Sequence, residues 1–423
     1  MTGALRIAMV TTFFPPMNFG GDGIAVERLA LALTRAGHDV TVVHDADAYR
    51  AMGGSVEPDA LKPSTRDGLR VVPIATSQPL LSSLLTHQFG RPLLKQRALN
   101  TAFREPFDVV HYHNVSLLGG PGALALGGRV RLYTAHEHWL VCPTHVLWKN
   151  GSEPCESRAC VRCSLRQKRP PQLWRWSSTL STALDGMDAI IALSEFSRER
   201  HRLFGLKQTM RVLPPFVPAT RPATSLDALP LAVREVLADD TPFVLFVGRI
   251  EALKGLGDVL PLFADGRIND SVRLIVAGDG TQRASLEQEA RGTPRIRFVG
   301  RQTAAALDAL RDRAVAQVVP TRGYETFGLV IVEAMQRGTL VIARRRGPFP
   351  ELIATAGTGA LYETDDELVA HLRRALSDET WRQSARRDGP RAVDRHWSES
   401  AVMPRYLAML DELGAARSRV VVQ

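Results

Sequence analysis

The chain has 423 residues, 45% of them apolar and 23% charged. That length is too great for one compact core, so two domains are expected, and the composition excludes a disordered chain. Lysine plus arginine outnumber the acids 53 to 44, a net charge of +9, which suits nucleic acid, an anionic membrane surface or a phosphorylated ligand without choosing among them.

The first run, Arg6–Phe14, could pass for a short signal core. Pro15-Pro16 follows it directly and no small-residue cleavage site appears, so it reads as a buried first strand. No apolar stretch reaches the roughly 18 residues that span a bilayer. These features predict a cytoplasmic protein.

Strand runs in the first half are Leu5–Thr12, Asp39–His44, Leu69–Ala75, Asp108–Tyr112, Val130–Thr134 and Asp188–Leu193. They are apolar on both faces, as strands of a covered parallel sheet are. Between the first two, Ile24–Ala36 is apolar at helical spacing and closes on Gly37. A proline-rich linker, Leu213–Pro222, follows. The second half repeats the plan with Pro242–Val247, Val272–Ala277, Ile296–Val299, Ala314–Pro320 and Leu340–Ala343. The pattern predicts an α/β protein of two doubly wound parallel-sheet domains facing a cleft, where a ligand binds beyond the strands' carboxyl ends.

The strongest chemical signal is Pro320-Thr-Arg-Gly-Tyr-Glu325-Thr-Phe-Gly-Leu-Val-Ile-Val-Glu333-Ala-Met. A strand ends at Pro320, a glycine loop follows, and a helix is expected from about Phe327. Free N–H groups at a helix start suit a phosphate, and carboxylates accept hydrogen bonds from sugar hydroxyls. Val247-Gly248-Arg249 closes the first strand of the second half, and Lys254-Gly255 follows in the next turn.

The E-x7-E spacing followed by Ala-Met and Gly338 resembles the family-four retaining glycosyltransferases of the GT-B fold. The resemblance covers nearly the whole chain and implies two Rossmann-like domains. Residues 1–216 would form the acceptor domain, with a cysteine-rich insertion at about 140–170. Residues 217–395 would bind the nucleotide sugar, and a C-terminal helix over 396–423 would cross back to the first domain. It implies that Glu325 faces the donor sugar, Glu333 holds the ribose hydroxyls, and the backbone of Phe327, Gly328 and Leu329 cradles the diphosphate. Arg249 and Lys254 match the family's G-R-x4-K-G element and would neutralise that diphosphate, so no catalytic divalent metal is expected. Gly278 lies in the nucleotide-pocket loop and Arg301 in the segment whose backbone reads the base. Gly20-Gly21, after the first strand, would bring backbone N–H groups to phosphate or acceptor. His136, at the end of a buried strand, matches the histidine near the reaction centre, with His113 a weaker candidate. Glu137 stands where the family often has aspartate, and Glu351 follows a glycine-rich loop that matches only loosely. Trp397 would be a packing anchor.

All four cysteines, Cys142, Cys155, Cys160 and Cys163, fall in one insertion, Leu140–Arg169. The C-x12-C-x4-C-x2-C spacing predicts one structural zinc on four thiolates, with free or redox-active thiols and disulfides as the alternatives. The insertion is basic and has tryptophans nearby, a mixture that suits a phosphorylated or membrane-borne acceptor.

The expected function is sugar transfer from a nucleotide diphosphate sugar to a saccharide, lipid-linked or small-molecule acceptor in polysaccharide, glycolipid or natural-product biosynthesis. Peripheral binding to the anionic inner face of the membrane is expected, and nucleic acid is not an expected partner. A same-fold epimerase or phosphorylase is the alternative enzyme, and a zinc-containing nucleic-acid-binding protein the alternative from another class.

Overall fold

The computed structural model describes residues 3–222, 224–269 and 271–421. Residues 422 and 423, at the end of the expected C-terminal helix, lie outside them. Contacts divide the chain into two units. The first is Met1–Val146, Arg158–Phe216 and Val402–Gln423, and the second is Leu147–Ser157 and Val217–Ala401.

The strands in chain order begin with β1 (Arg6–Thr11), β2 (Asp39–Asp45), β3 (Ser64–Arg66), β4 (Leu69–Ile74), β5 (Val109–Tyr112) and β6 (Val130–Ala135). A small hairpin follows, β7 (Trp148–Lys149) and β8 (Glu153–Pro154), then β9 (Ala189–Ala192) and β10 (Met210–Val212). The first unit's sheet has the order β10-β9-β6-β5-β1-β2-β4-β3. Only β3 runs antiparallel to its neighbour. Strand order reverses on either side of β1, so the loops after β1, β5 and β6 gather at the carboxyl ends around the switch point.

Ile7, Ala8, Met9 and Val10 are fully buried, which is why β1 lacks alternation in its sequence. Ile7 and Met9 share one core with Val26 and Leu33 of the helix Gly21–Arg35. Tyr406, Leu410 and Leu413 of the helix Glu399–Val421 join that same core. The C-terminal helix therefore completes the first unit.

The second unit's sheet comprises β11 (Phe243–Val247), β12 (Arg273–Ala277), β13 (Ile296–Gly300), β14 (Ala316–Val319), β15 (Val341–Arg344) and β16 (Ala360–Tyr362). Its order is β13-β12-β11-β14-β15-β16, with every pairing parallel. Side-chain parity accounts for two cores. Val244, Phe246, Leu274 and Val276 point into one, and Phe243, Leu245, Ile275 and Ala277 into the other. The switch point lies between β11 and β14, so the Arg249–Lys254 turn and the Glu325 loop leave from adjacent strands.

The long buried strands lie within two residues of their expected ends. The short strands β3, β10 and β16 and the β7–β8 hairpin were not anticipated. The first helix starts at Gly21 rather than Ile24, and the helix expected from Phe327 starts at Leu329.

Candidate functional site

In the second unit the Lys254 turn and the Glu325 loop are joined by backbone. The Arg322 and Gly323 N–H groups both donate to the Leu253 carbonyl, at 2.8 and 3.2 Å. Gly255 adopts φ +72°, and a Cβ there would sit 2.1 Å from the Pro320 carbonyl oxygen. Only glycine allows this approach. As a result Lys254 Nζ reaches Glu325 Oε1 at 2.5 Å, with the two side chains 20% and 18% exposed. Thr321 Oγ1 approaches the same oxygen at 3.4 Å.

Gly328, at φ +113°, caps the helix Leu329–Gln336 without any side-chain cap. A Cβ there would meet the Phe349 ring at 2.9 Å. Phe327 is buried and packs edge-on to Trp397 at 6.4 Å, so Trp397 has the anchoring role expected of it. Glu333, four residues into that helix, accepts from Arg311 Nη2 at 3.0 Å. Arg311 is only 3% exposed. Its Nε donates to Gln317 Oε1 at 3.1 Å, and Gln317 is held in turn by the Val330 carbonyl at 2.9 Å. Sequence reasoning missed Arg311, because the segment Ala304–Arg313 reads as an ordinary charged helix face.

Arg249 follows β11 and is exposed, as is Arg301 after β13. Gly278, Gly248 and Gly300 close the carboxyl ends of neighbouring strands. The Gly278 N–H donates to the Gly300 carbonyl at 2.9 Å, and a Cβ on Gly278 would lie 1.8 Å from the Gly248 oxygen.

In the first unit Gly20 is the N-cap of the helix that starts at Gly21. Gly20 N–H meets Asn18 Oδ1 at 3.3 Å. Gly23, not singled out in the sequence, is the tighter position: a Cβ there would lie 2.6 Å from Asn18 Oδ1. At the carboxyl ends of β5 and β6 the histidines form a cluster, His111 within β5 and His113 and His136 just beyond the strands. His113 Nδ1 lies 2.9 Å from His136 Nε2. His111 bridges Thr134 Oγ1 at 2.7 Å and the Tyr406 hydroxyl at 2.9 Å. Burial lowers the His136 pKa to about 4, against a smaller opposing pull from Asp22. Burial likewise takes His111 down to about 3 and His113 well below its usual value. His136 is therefore neutral at pH 7 and offers a hydrogen bond, not a charge. Glu137 is paired with His145 Nδ1 at 2.8 Å, which gives it a local structural role.

A family model described as Glycosyltransferase Family 4 matches residues 19–221. A second, Glycosyl transferases group 1, matches residues 232–392. The chain belongs to the family-four glycosyltransferases. This glycosyltransferase is 28% identical over 400 residues to a glycogen synthase of Mycobacterium tuberculosis, covering 88% of this chain and 86% of that one. Its fold superposes on sucrose-phosphate synthase from Thermosynechococcus elongatus with a TM-score of 0.70 at 22% identity, over 97% and 99% of the two chains. The catalytic domain of starch synthase IV from Arabidopsis thaliana, bound to ADP and acarbose, gives 0.68 at 14% identity, over 98% and 100%. The fold is GT-B.

Among the described residues no group of three or more His, Cys, Asp or Glu is placed to hold a metal ion. All four cysteines are free thiols, so the disulfide alternative is not realised. Three of them have a local neighbour. Cys142 Sγ lies 3.3 Å from Thr144 Oγ1, Cys163 Sγ 3.2 Å from Gln167 Nε2, and Cys155 Sγ 3.5 Å from the Ser157 carbonyl. Burial pushes the Cys160 thiol up, with Cys142 adding to the rise, so it is a poorer thiolate than an exposed cysteine. The insertion instead contributes to the second unit: Glu156 accepts from the hydroxyl of Tyr324, the residue before Glu325. Among the described residues no helix is long and apolar enough to cross a membrane.

Proposed function

We propose that this enzyme transfers a sugar, with retention at the anomeric carbon, from a nucleotide diphosphate sugar to a saccharide, lipid-linked or small-molecule acceptor. The observation that carries this is the pair of cation-held glutamates at the second unit's switch point, Glu325 on Lys254 and Glu333 on Arg311. Such a site recognises hydroxyl groups beside a polyanion. The ADP bound to the starch synthase supports a nucleotide donor.

In this reading Arg249 and Lys254 meet the diphosphate and stabilise the charge it gains on leaving. Glu325 accepts from donor-sugar hydroxyls, and Glu333, oriented by Arg311, accepts from the ribose. Neutral His136 hydrogen-bonds the sugar near the reacting carbon. The acceptor oxygen bonds to the anomeric carbon on the face from which the phosphate oxygen leaves, and the acceptor proton passes to that phosphate. No step runs through zinc.

The test is a panel of nucleotide sugars screened by thermal shift, because a ligand of the folded state raises the melting temperature. Product from the best donor is then analysed by NMR for anomeric configuration. An inverted product would sink retention. Release of a sugar phosphate, or an epimerised donor without transfer, would favour the same-fold phosphorylase or epimerase.

A further inference from the structure

The helix Pro79–Phe89 of the first unit is inside out. It buries Ser82, Ser83 and Thr86, and it exposes Leu80 at 69%, Leu84 at 50% and Phe89 at 49%. A helix whose outer face meets only water has the opposite pattern. The Ser82 and Ser83 hydroxyls lack a hydrogen-bond partner among the described residues, so that burial is not repaid by bonding. The apolar face continues past the helix. Leu93 is 48% exposed, and Leu173 and Trp176, from the stretch after the cysteines, are 50% and 65% exposed.

These two stretches are one surface. Trp174 Nε1 donates to the His87 carbonyl at 3.1 Å. Phe89, Arg91 and Leu93 line a groove of about 340 Å³ together with Leu173 and Trp174. Contiguous exposed apolar area of this kind marks an interaction site.

Its charge selects the partner. Residues 79–104 and 158–184 contain no aspartate or glutamate. The first stretch carries exposed Arg91, Arg97 and Arg104, and the second exposed Arg166, Lys168 and Arg169. None of these six cations has an ion-pair partner among the described residues. Protein surfaces ordinarily interleave both signs. Leucines and a tryptophan among uncompensated arginines match the boundary between anionic headgroups and acyl chains, where apolar side chains insert and cations stay at the phosphates.

We infer that this face of the first unit, formed by residues 79–104 and 158–184, docks on an anionic lipid bilayer. The inference goes beyond sugar transfer and is tested without turnover. Purified full-length enzyme is cosedimented with vesicles of phosphatidylglycerol and phosphatidylcholine, and with phosphatidylcholine alone. Binding is expected to the anionic vesicles and to weaken as salt rises. Leu80→Ser with Leu84→Ser should lower the partition coefficient by about tenfold or more, the scale of withdrawing two partly inserted leucines. Arg91→Gln with Arg97→Gln should remove much of the salt-sensitive part. Both pairs are exposed, so unchanged circular dichroism and an unchanged nucleotide-diphosphate thermal shift are expected, which separates this outcome from failure of the donor reading. Absence of binding to anionic vesicles at low salt overturns the inference. So does equal binding by the leucine variant, which would show mere charge attraction. Retention of RNA lost only in the arginine variant, with no vesicle binding, would assign the face to nucleic acid instead.

Discussion

Arg311 makes the most exacting test of the donor site, because it is only 3% exposed and holds Glu333, the carboxylate assigned to the ribose. Arg311→Met keeps most of the volume and removes three contacts: Glu333 at 3.0 Å, Gln317 at 3.1 Å and Asp308 at 3.6 Å. Breaking a fully buried ion pair costs about 3–5 kcal/mol. Glu333 is 25% exposed and Asp308 15%, so water recovers part of that. A loss of about 2–3 kcal/mol of stability is expected, or roughly 5–10 °C in the melting of a unit this size. The functional effect is separate. A hydrogen bond to a charged group is worth about 1.5–3 kcal/mol. Wild type should therefore bind a nucleoside diphosphate at least about tenfold more tightly than its 2′,3′-dideoxy counterpart by calorimetry. In Arg311→Met that ratio should fall towards one, since without the Arg311 guanidinium Glu333 is no longer fixed in the geometry that meets the ribose. Arg311→Lys should give an intermediate ratio, because it keeps the charge and loses the planar fork. A folded Arg311→Met that keeps the wild-type ratio would refute the reasoning, because Arg311 would then be only structural.

Arg249→Ala and Lys254→Ala should each remove about 2–4 kcal/mol of transition-state stabilisation, read as kcat/KM for the best donor; near wild-type turnover in both would displace the assignment. Lys95 and Asp45 are both fully buried and 2.7 Å apart. Lys95→Met should cost about 3–5 kcal/mol in denaturant melts, and pairing it with Asp45→Leu should restore much of the loss. Stability should also fall in acid. Burial holds His44, His111 and His136 at pKa values of about 4, 3 and 4. Their neutral forms favour the folded state, so the contribution is complete above the ordinary histidine pKa near 6.5 and is lost as pH falls towards 4. Melts of the enzyme between pH 7 and 4, run beside a His44→Gln variant whose decline should be shallower, check this; a flat profile contradicts it.

The parallel sheets were legible because strands covered on both faces must be apolar throughout, as Ile7–Val10 and Phe243–Val247 are. The edge strands were not. Ser64–Arg66 is wholly exposed, and Ala360–Tyr362 buries only its tyrosine, so neither leaves an apolar run. Motif spacing singled out Lys254, Glu325 and Glu333, yet spacing is silent on what neutralises a carboxylate. That took tertiary contacts: Gly255 against Pro320, and Arg311 turned inward by Gln317. The cysteines pose the converse question. Their spacing permits a tetrahedral site, but spacing does not aim a thiol. Nor did composition reveal the helix Pro79–Phe89 as inverted, because leucines at helical spacing read as a core face.

The Lys254–Glu325 pair bears on the order of events at the donor site. With the pocket empty, the pair is net neutral and each charge has a partner at 2.5 Å, so neither sits unpaired in a half-buried site. A free Glu325 would repel an incoming diphosphate; a glutamate already paired to lysine repels it much less. Once the diphosphate arrives, it offers Lys254 an anion of higher charge. Whatever hold the lysine gives up leaves Glu325 with only the 3.4 Å approach of Thr321 Oγ1, and thus short of donors. The hydroxyls of the donor sugar are the groups that can supply them. On this reading sugar recognition by Glu325 is strengthened by diphosphate binding, and the same lysine that steers the donor in is positioned to take up the charge when the diphosphate leaves.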